Sequence, residues 1–349
     1  MDLIVHIGSG KTGTTSIQRF LGTNRQALAG HGLLYPSTPG RFRHVRLGLY
    51  VTPDDRLPMA PAWHRQKAAS PGRFRQEFER DLLDEVAEHP SCRVLFSDEG
   101  LFGAPDAALR RLRGFTDGHA DRVRLVCYLR RQDDHLISRY QQVVKVGETR
   151  RLAERTEAMD LSGTYDYARR LATWENLVDP TELVVRRFES LSFLGGSLFT
   201  DFLHAAEVDA PLESFEPVPR QNESLDAESV EFLRILNLHR VRHEGAKRGL
   251  IDNRKLIRRL AEARSGPTLT LPEAMLDSFM SLWEEGNREV ARRYFADEQG
   301  MLFHSPRSSV GTTAEQRLDP GRLDHFLAVT NLPDRLHRPV RELVEQEYR

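Results

Sequence analysis

Near its start the chain runs through an apolar, β-branched stretch, Leu3-Ile4-Val5-His6-Ile7. It passes directly into Gly8-Ser9-Gly10-Lys11-Thr12-Gly13-Thr14-Thr15, and helical spacing follows from Ser16 to Leu28, with Ile17, Phe20, Leu21 and Leu28 on or near one face. A buried strand that ends in a glycine-rich turn and restarts as a helix is the opening unit of an α/β sheet. Glycines let the backbone turn tightly and direct its amide hydrogens into a concave nest. The next helix adds free N–H groups and the positive end of its dipole. With the charge of Lys11 and the threonine hydroxyls, the turn reads as a seat for a phosphate or sulfate group.

The rest of the first half repeats the alternation. Phe74 to Ala87 carries Phe74, Phe78, Leu82 and Val86 at i+4 steps, which predicts a helix. Arg93–Phe96, Val123–Leu129 and Leu183–Arg187 read as strands, and Leu136–Val144 and about Gly196–Ala206 as helices. The pattern predicts an α/β fold, a parallel sheet flanked by helices with a P-loop-like phosphate site, whose ligands bind at the carboxyl ends of the strands. Residues 36–72, with Pro36, Pro39, Pro53, Pro58, Pro61 and Pro71, read as a long irregular insert. Beyond Leu225 the pattern is helical, over Ala227–Leu238, Arg254–Ala263 and Pro272–Tyr294, with no strand expected. The expected organisation is an α/β domain over 1–225 and a mainly helical C-terminal subdomain over 226–349.

The phosphate loop of nucleotide hydrolases, G-x-x-x-x-G-K-[ST], fits at Gly10-Lys11-Thr12 but would need a glycine at Val5. The order Lys11-Thr12-Gly13-Thr14-Thr15 instead resembles the 5′-phosphosulfate loop of sulfotransferases that use 3′-phosphoadenosine-5′-phosphosulfate (PAPS), usually Pro-Lys-[Ser/Thr]-Gly-Thr-Thr, with Gly10 in place of the proline. A second segment agrees. Arg130 stands at the end of the Val123–Leu129 strand, and Ser138 lies i+4 from Asp134 on the helix that Asp133 or Asp134 can cap. An arginine fork and a hydroxyl so placed can converge on one phosphate. Arg130, Asp134 and Ser138 match the spacing of the 3′-phosphate motif of the same family, Arg-Asn-Pro-x-Asp-x-x-x-Ser, with Arg131 and Gln132 replacing Asn and Pro. Val184–Leu191 is similar to the family's strand followed by Tyr-Glu-Asp-Leu, and its Glu189 reads as structural. Pro219-Arg220-Gln221-Asn222-Glu223-Ser224 resembles a loop of bacterial carbohydrate-type members, from which Arg220 would reach the nucleotide. The resemblance covers roughly residues 1–225.

The resemblance implies transfer of a sulfonate group from PAPS to a hydroxyl or amine, leaving adenosine 3′,5′-bisphosphate, with no metal. Gly10, Lys11, Thr12, Gly13, Thr14 and Thr15 would hold the 5′-phosphosulfate end, and Lys11 would offset charge on the leaving oxygen. Arg130, Ser138 and Arg220 would bind the remainder of the nucleotide. Positioning and charge stabilisation dominate such transfers, and a base must take the acceptor's proton. Glu99 follows the Val94-Leu95-Phe96 strand on the rim expected for Lys11 and Arg130, and comparable glutamates serve as base in carbohydrate sulfotransferases. His44, in the insert, is the second candidate and Asp98 a third. Arg41, Arg43, Trp63, His64 and Arg65 suit a sugar or an acidic acceptor; a polysaccharide, a glycolipid and a small metabolite all fit.

With 50 basic and 51 acidic residues the net charge is -1, which supplies no overall attraction to nucleic acid or anionic lipid. Cys92 and Cys127 lie in or beside apolar runs and read as buried free thiols, and no His/Cys/Asp cluster has metal-ligand spacing. The start of the chain has no signal-peptide pattern, and no apolar run reaches the roughly 18 residues that span a bilayer. A cytoplasmic protein is expected, with its oligomeric state open. The alternatives are a nucleoside triphosphate-dependent kinase, which would need Asp98 to hold magnesium, and a non-catalytic nucleotide-binding regulator.

Overall fold

The structure is a computed structural model that describes residues 1–158, 160–219, 224–307 and 312–348. In chain order the elements are β1 (Asp2–His6), α1 (Thr14–Thr23), α2 (Arg25–Gly30), β2 (Leu33–Leu34), α3 (Val45–Val51), α4 (Pro71–Ala87), β3 (Arg93–Ser97), α5 (Asp106–His119) and β4 (Arg122–Leu129). The chain continues through α6 (Gln132–Lys145), α7 (Leu152–Ala158), α8 (Ser162–Tyr165), α9 (Tyr167–Val178), β5 (Glu182–Arg187), α10 (Leu198–Ala205), α11 (Ala227–His243) and α12 (Arg254–Glu262). Last come β6 (Thr268–Thr270), α13 (Glu273–Ser281), α14 (Glu284–Phe295), β7 (Thr313–Glu315), α15 (Leu323–Thr330) and α16 (His337–Glu347). These divide into one unit made of Met1–Arg130, Ser162–Arg220 and Glu284–Ser305, and a second made of Arg131–Leu161, Gln221–Trp283 and Pro306–Arg349. The units interleave along the chain, which crosses between them at several points besides the one near the expected boundary at 225.

The first unit is built on a parallel sheet of order β2-β3-β1-β4-β5. Alternation along β1 explains its two cores. Leu3, Val5 and Ile7 join Phe74, Phe78 and Leu82 of α4, Leu109 and Leu112 of α5, and Leu171 and Trp174 of α9 on one face. Ile4 points the other way, into Ile17, Phe20 and Leu21 of α1 and Phe202 of α10. Each fully buried side chain of this size contributes about 1.5–3 kcal/mol relative to exposure. The connection from β1 leads toward β2, and that from β4 leads toward β5. The strand order therefore turns between β1 and β4, and loops leaving these two strands diverge at their carboxyl ends.

Local differences from the sequence reading have local causes. The stretch read as one helix over Ser16–Leu28 is broken at Asn24, whose side-chain amide donates to Phe20 O (2.9 Å) and Glu216 O (3.0 Å). The insert is not wholly irregular: the proline-free run Val45–Val51 forms α3, with Leu47, Leu49, Tyr50 and Val51 buried. Helix α4 starts where Ser70 Oγ accepts from Arg73 N (3.2 Å) ahead of Pro71. Helices α5 and α9 were not anticipated, although Tyr167, Leu171, Trp174 and Val178 keep helical spacing and are buried. Cys127 is buried as expected, while Cys92 is only partly so; both are free thiols.

The second unit centres on α11, capped where Asp226 accepts from Ser229 N (2.8 Å). Glu231 and Arg234, both buried on α11, join Glu347, Gln316, Tyr140 and Tyr348 in a polar cluster. The expectation of no strand beyond Leu225 is corrected: β6 and β7 pair in parallel. Three-residue strands are too short to show an alternation. The helix read over Pro272–Tyr294 is likewise two helices, α13 and α14, which belong to different units. No helix of the described residues is long and apolar enough to cross a membrane.

Candidate functional site

The turn after β1 is held by the sheet. Ile7 N donates to Val126 O (3.0 Å), and Ser9 donates to Tyr128 O through both its backbone N (3.4 Å) and its hydroxyl (3.0 Å). This carries the edge of β1 along β4 past the end of the strand. The backbone then turns through left-handed conformations at Gly10 (φ 77°), Lys11 (φ 54°) and Gly13 (φ 71°). For Lys11 that conformation is unfavourable, and such outliers cluster at binding sites. Helix α1 starts at Thr14 without a side-chain cap, so its first amides keep the positive end of the dipole. Thr12 and Thr14 are buried and Thr15 is exposed. Thr12 Oγ1 finds no hydrogen-bond partner among the described residues, nor does Nε2 of His6. Both atoms approach Gly8, standing 3.1 and 3.2 Å from where a β-carbon would be.

Arg130, at the end of β4, meets this turn. Its Nη1 donates to Lys11 O (3.1 Å), and its guanidinium lies 5.9 Å from the centre of the Phe188 ring. Phe188 also covers Gly13, where a β-carbon would stand 3.0 Å from its Cε2. Tyr167 OH fixes the backbone beneath by donating to Arg130 O (2.7 Å). Lys11, Gly13, Arg130 and Phe188 thus come together at the divergence between β1 and β4.

Glu99 follows β3 and is half-buried. Gln18, one turn along α1 from Thr14, donates its Nε2 to Glu99 Oε2 (3.4 Å), which ties the carboxylate to the helix that the glycine-rich turn opens. Arg43 Nη1 stands 3.6 Å from Glu99 Oε1. The neighbouring Asp98 is buried and accepts from Arg43 Nε (2.7 Å) and Gly100 N (2.9 Å). Burial pushes the Asp98 carboxyl up, and the Arg43 cation opposes that shift.

His44 is not an exposed loop histidine. It has no accessible surface, stacks on Tyr35 at 4.2 Å, and accepts from Ser97 N at Nδ1 (3.2 Å). Burial pushes its pKa down to about 3, so the ring is neutral. A base has to reach the proton it removes, and His44 offers no surface for that. His6 is equally enclosed, with Nδ1 against Ser97 Oγ (2.8 Å) and its pKa pushed down to about 3 by burial.

Ser138 is half-buried on α6, in the second unit. Asp133, also on α6, is buried and accepts from Asp134 N (2.8 Å), Arg131 Nε (3.0 Å) and Arg307 Nε (2.7 Å). Arg220 lies outside the described residues. Glu189 has a structural place, accepting from His304 N (3.2 Å) and Ser305 N (2.8 Å). Trp63 and His64 line, with Asp54, Gln66 and Ser70, an open cleft of about 380 Å³. The sequence reading missed Gln18, Phe188 and His6 as members of this neighbourhood. Only Gln18 carried a signal, its i+4 spacing from Thr14.

No family model matches the chain, and no solved structure matches it. A protein of Archaeoglobus fulgidus described as uncharacterized is 32% identical over 186 residues, which cover 52% of this chain and 48% of that protein. The chain thus spans about half the length of this curated relative.

Proposed function

We propose that the protein is a PAPS-dependent sulfotransferase, moving a sulfonate group from PAPS to an acceptor hydroxyl or amine. The observation that carries the reading is the contact of Arg130 with the Lys11 carbonyl. It brings Arg130, the first residue of one segment that resembles a family nucleotide motif, to Lys11 of the other, at the strand ends where open α/β sheets bind ligands. The buried Thr12 hydroxyl, unpartnered among the described residues, and the uncapped start of α1 are the donors expected of a turn that receives an anion.

In this reading the acceptor oxygen or nitrogen forms a bond to sulfur as the bond from sulfur to the 5′-phosphate oxygen breaks. Glu99 takes the acceptor's proton, and adenosine 3′,5′-bisphosphate leaves with the bond's electron pair. Lys11 offsets the charge gathering on the departing oxygen. The free thiols of Cys92 and Cys127 suit a reducing, cytoplasmic setting. The kinase alternative is disfavoured because the carboxylate it would use for magnesium, Asp98, is engaged by Arg43 and Gly100.

The test is calorimetric binding of adenosine 3′,5′-bisphosphate against AMP and against ATP with magnesium. The bisphosphate should bind well and AMP poorly. Binding of ATP with magnesium and none of the bisphosphate would replace this reading with the kinase.

A further inference from the structure

The net charge of -1 conceals one local excess. Between Arg240 and Arg264 the chain carries nine arginines and lysines against three acids, Glu244, Asp252 and Glu262. Arg242, Lys247, Arg248, Arg254, Lys255 and Arg258 are exposed. A solvated helix face ordinarily intersperses its charges, as α14 and α16 do with the pairs Arg288–Glu284 and Arg338–Glu342. Here Arg254 and Arg258 are offset by Asp252 (2.6 Å) and Glu262 (4.0 Å), but Arg242, Lys247 and Arg248 have no ion-pair partner among the described residues. The loop between α11 and α12, residues 244–253, is pinned in place. It turns through left-handed backbone at Gly245 (φ 67°) and Gly249 (φ 81°). Gly249 N and Ile251 N both donate to the carbonyl of Val146, the residue that follows α6 (2.8 and 3.4 Å). Asn253, buried at the far end, donates to Lys145 O (3.2 Å) and Asn237 Oδ1 (2.9 Å) and accepts from Arg240. Leu250, between the two pinned amides, is left 65% exposed, and Val146 beside it is 43% exposed. Two aliphatic side chains are thus held in water, forgoing the stabilisation of burial, within a basic surround.

We propose that this loop and the first turns of α12 form a docking surface for an anionic phospholipid bilayer. Leu250 and Val146 enter the boundary between headgroups and acyl chains, and Arg242, Lys247, Arg248 and Lys255 meet lipid phosphates. The proposal goes beyond the sulfotransferase reading and does not depend on it. Bases near an anionic leaflet are drawn to its surface potential, and apolar side chains among them add burial at the interface. Helix α12 is not itself the inserting element, because its apolar residues Ile257 and Leu260 are buried within the second unit. A nucleic acid would match the cations but give the two aliphatic side chains no place to go. Single strands are held by stacking on aromatic rings, and residues 240–264 contain no Phe, Tyr or Trp.

Partition of the full chain into sedimenting vesicles tests this. The probes are vesicles of phosphatidylcholine with about 30% phosphatidylglycerol and vesicles of phosphatidylcholine alone. The protein should bind the anionic vesicles, release them as salt rises, and bind the neutral ones little. Lys247→Glu/Arg248→Glu is expected to lower partition by about tenfold or more. Leu250→Ser, which leaves the charge unchanged, should lower it by about threefold to tenfold. These side chains are exposed, so the variants should keep the wild-type urea midpoint. As a control, Arg110→Glu on the exposed face of α5 should change partition by about twofold at most, against about fivefold for Arg248→Glu alone. Absence of binding to the anionic vesicles at low salt overturns the proposal. So does a Leu250→Ser protein that partitions like wild type, or an equal loss from Arg110→Glu and Arg248→Glu. Binding to a DNA duplex that is tighter than to the anionic vesicles, and indifferent to Leu250→Ser, would replace the lipid surface with a nucleic-acid one.

Discussion

Arg130 donates from Nη1 to the carbonyl oxygen of Lys11 over 3.1 Å, closing a separation of 119 positions in the chain. The bond draws on one of the five N–H groups of a guanidinium that stands at the strand end. Arg130→Ala should lower affinity for adenosine 3′,5′-bisphosphate by about tenfold to a hundredfold, the range for a charge-assisted hydrogen bond, and leave AMP binding little changed. Calorimetry on the two ligands reads both effects. Equal losses for both would mean that the arginine supports the turn and not the 3′-phosphate.

Gly13 is the position where the turn tolerates least. It sits at φ 71° under Phe188, and a methyl group there would also collide with Leu198. Gly13→Ala is expected to cost about 1–3 kcal/mol from backbone strain and crowding. It should also weaken bisphosphate binding, because α1 cannot start where it does. Chemical denaturation and calorimetry together check this; a variant of wild-type stability and affinity would contradict the geometry.

How far the sequence disclosed this site depends on how local each part is. The turn was legible because glycine, lysine and threonine act there through their own backbone and side chains. Glu99 was legible because a strand end can be read from the apolar run before it. The Arg43–Asp98 pair was not, because it spans 55 positions and joins an insert to the sheet rim. Nor could the burial of His44 be read, since the surrounding insert is polar and proline-rich and its enclosure comes from Tyr35 and the end of β3. The strands β2, β6 and β7 escaped for a simpler reason: two or three residues cannot display a period.

Acid sensitivity should begin near neutral pH. His6 and His44 have pKa values pushed down by burial to about 3, against an unfolded value near 6.5. The unfolded chain therefore binds protons that the folded chain refuses. The resulting stability is complete above pH 6.5 and is lost as pH falls toward 3, by about 1.4 kcal/mol per pH unit for each histidine. His239, also pushed down by burial, adds in the same direction. Urea midpoints between pH 7.5 and 5 should fall accordingly, and His44→Phe should flatten the slope. Midpoints that hold steady over that range would show that these rings accept protons in the folded state.

Asp201 on α10 is a separate point of fragility. It is buried, and it accepts from Tyr128 OH (2.6 Å), Leu194 N (3.0 Å) and the Arg186 guanidinium. Asp201→Ala strands a cation and a buried phenol together, with an expected cost of about 3–5 kcal/mol. The loss should appear in denaturation at neutral pH.

The pairing of the central strand has a consequence for how the protein is made. Leu3 aligns with Val94 on one side and Val123 on the other. β1 is synthesised before either neighbour, and the nearer of them in the chain, β3, begins only at Arg93. At roughly 5–20 residues per second its apolar edges wait on the order of ten seconds for a partner. During that interval the same β-branched run that later anchors the sheet is the segment most exposed to pairing with another nascent chain. Yield of folded protein should therefore depend on translation speed and chaperone supply more than its final stability alone would suggest.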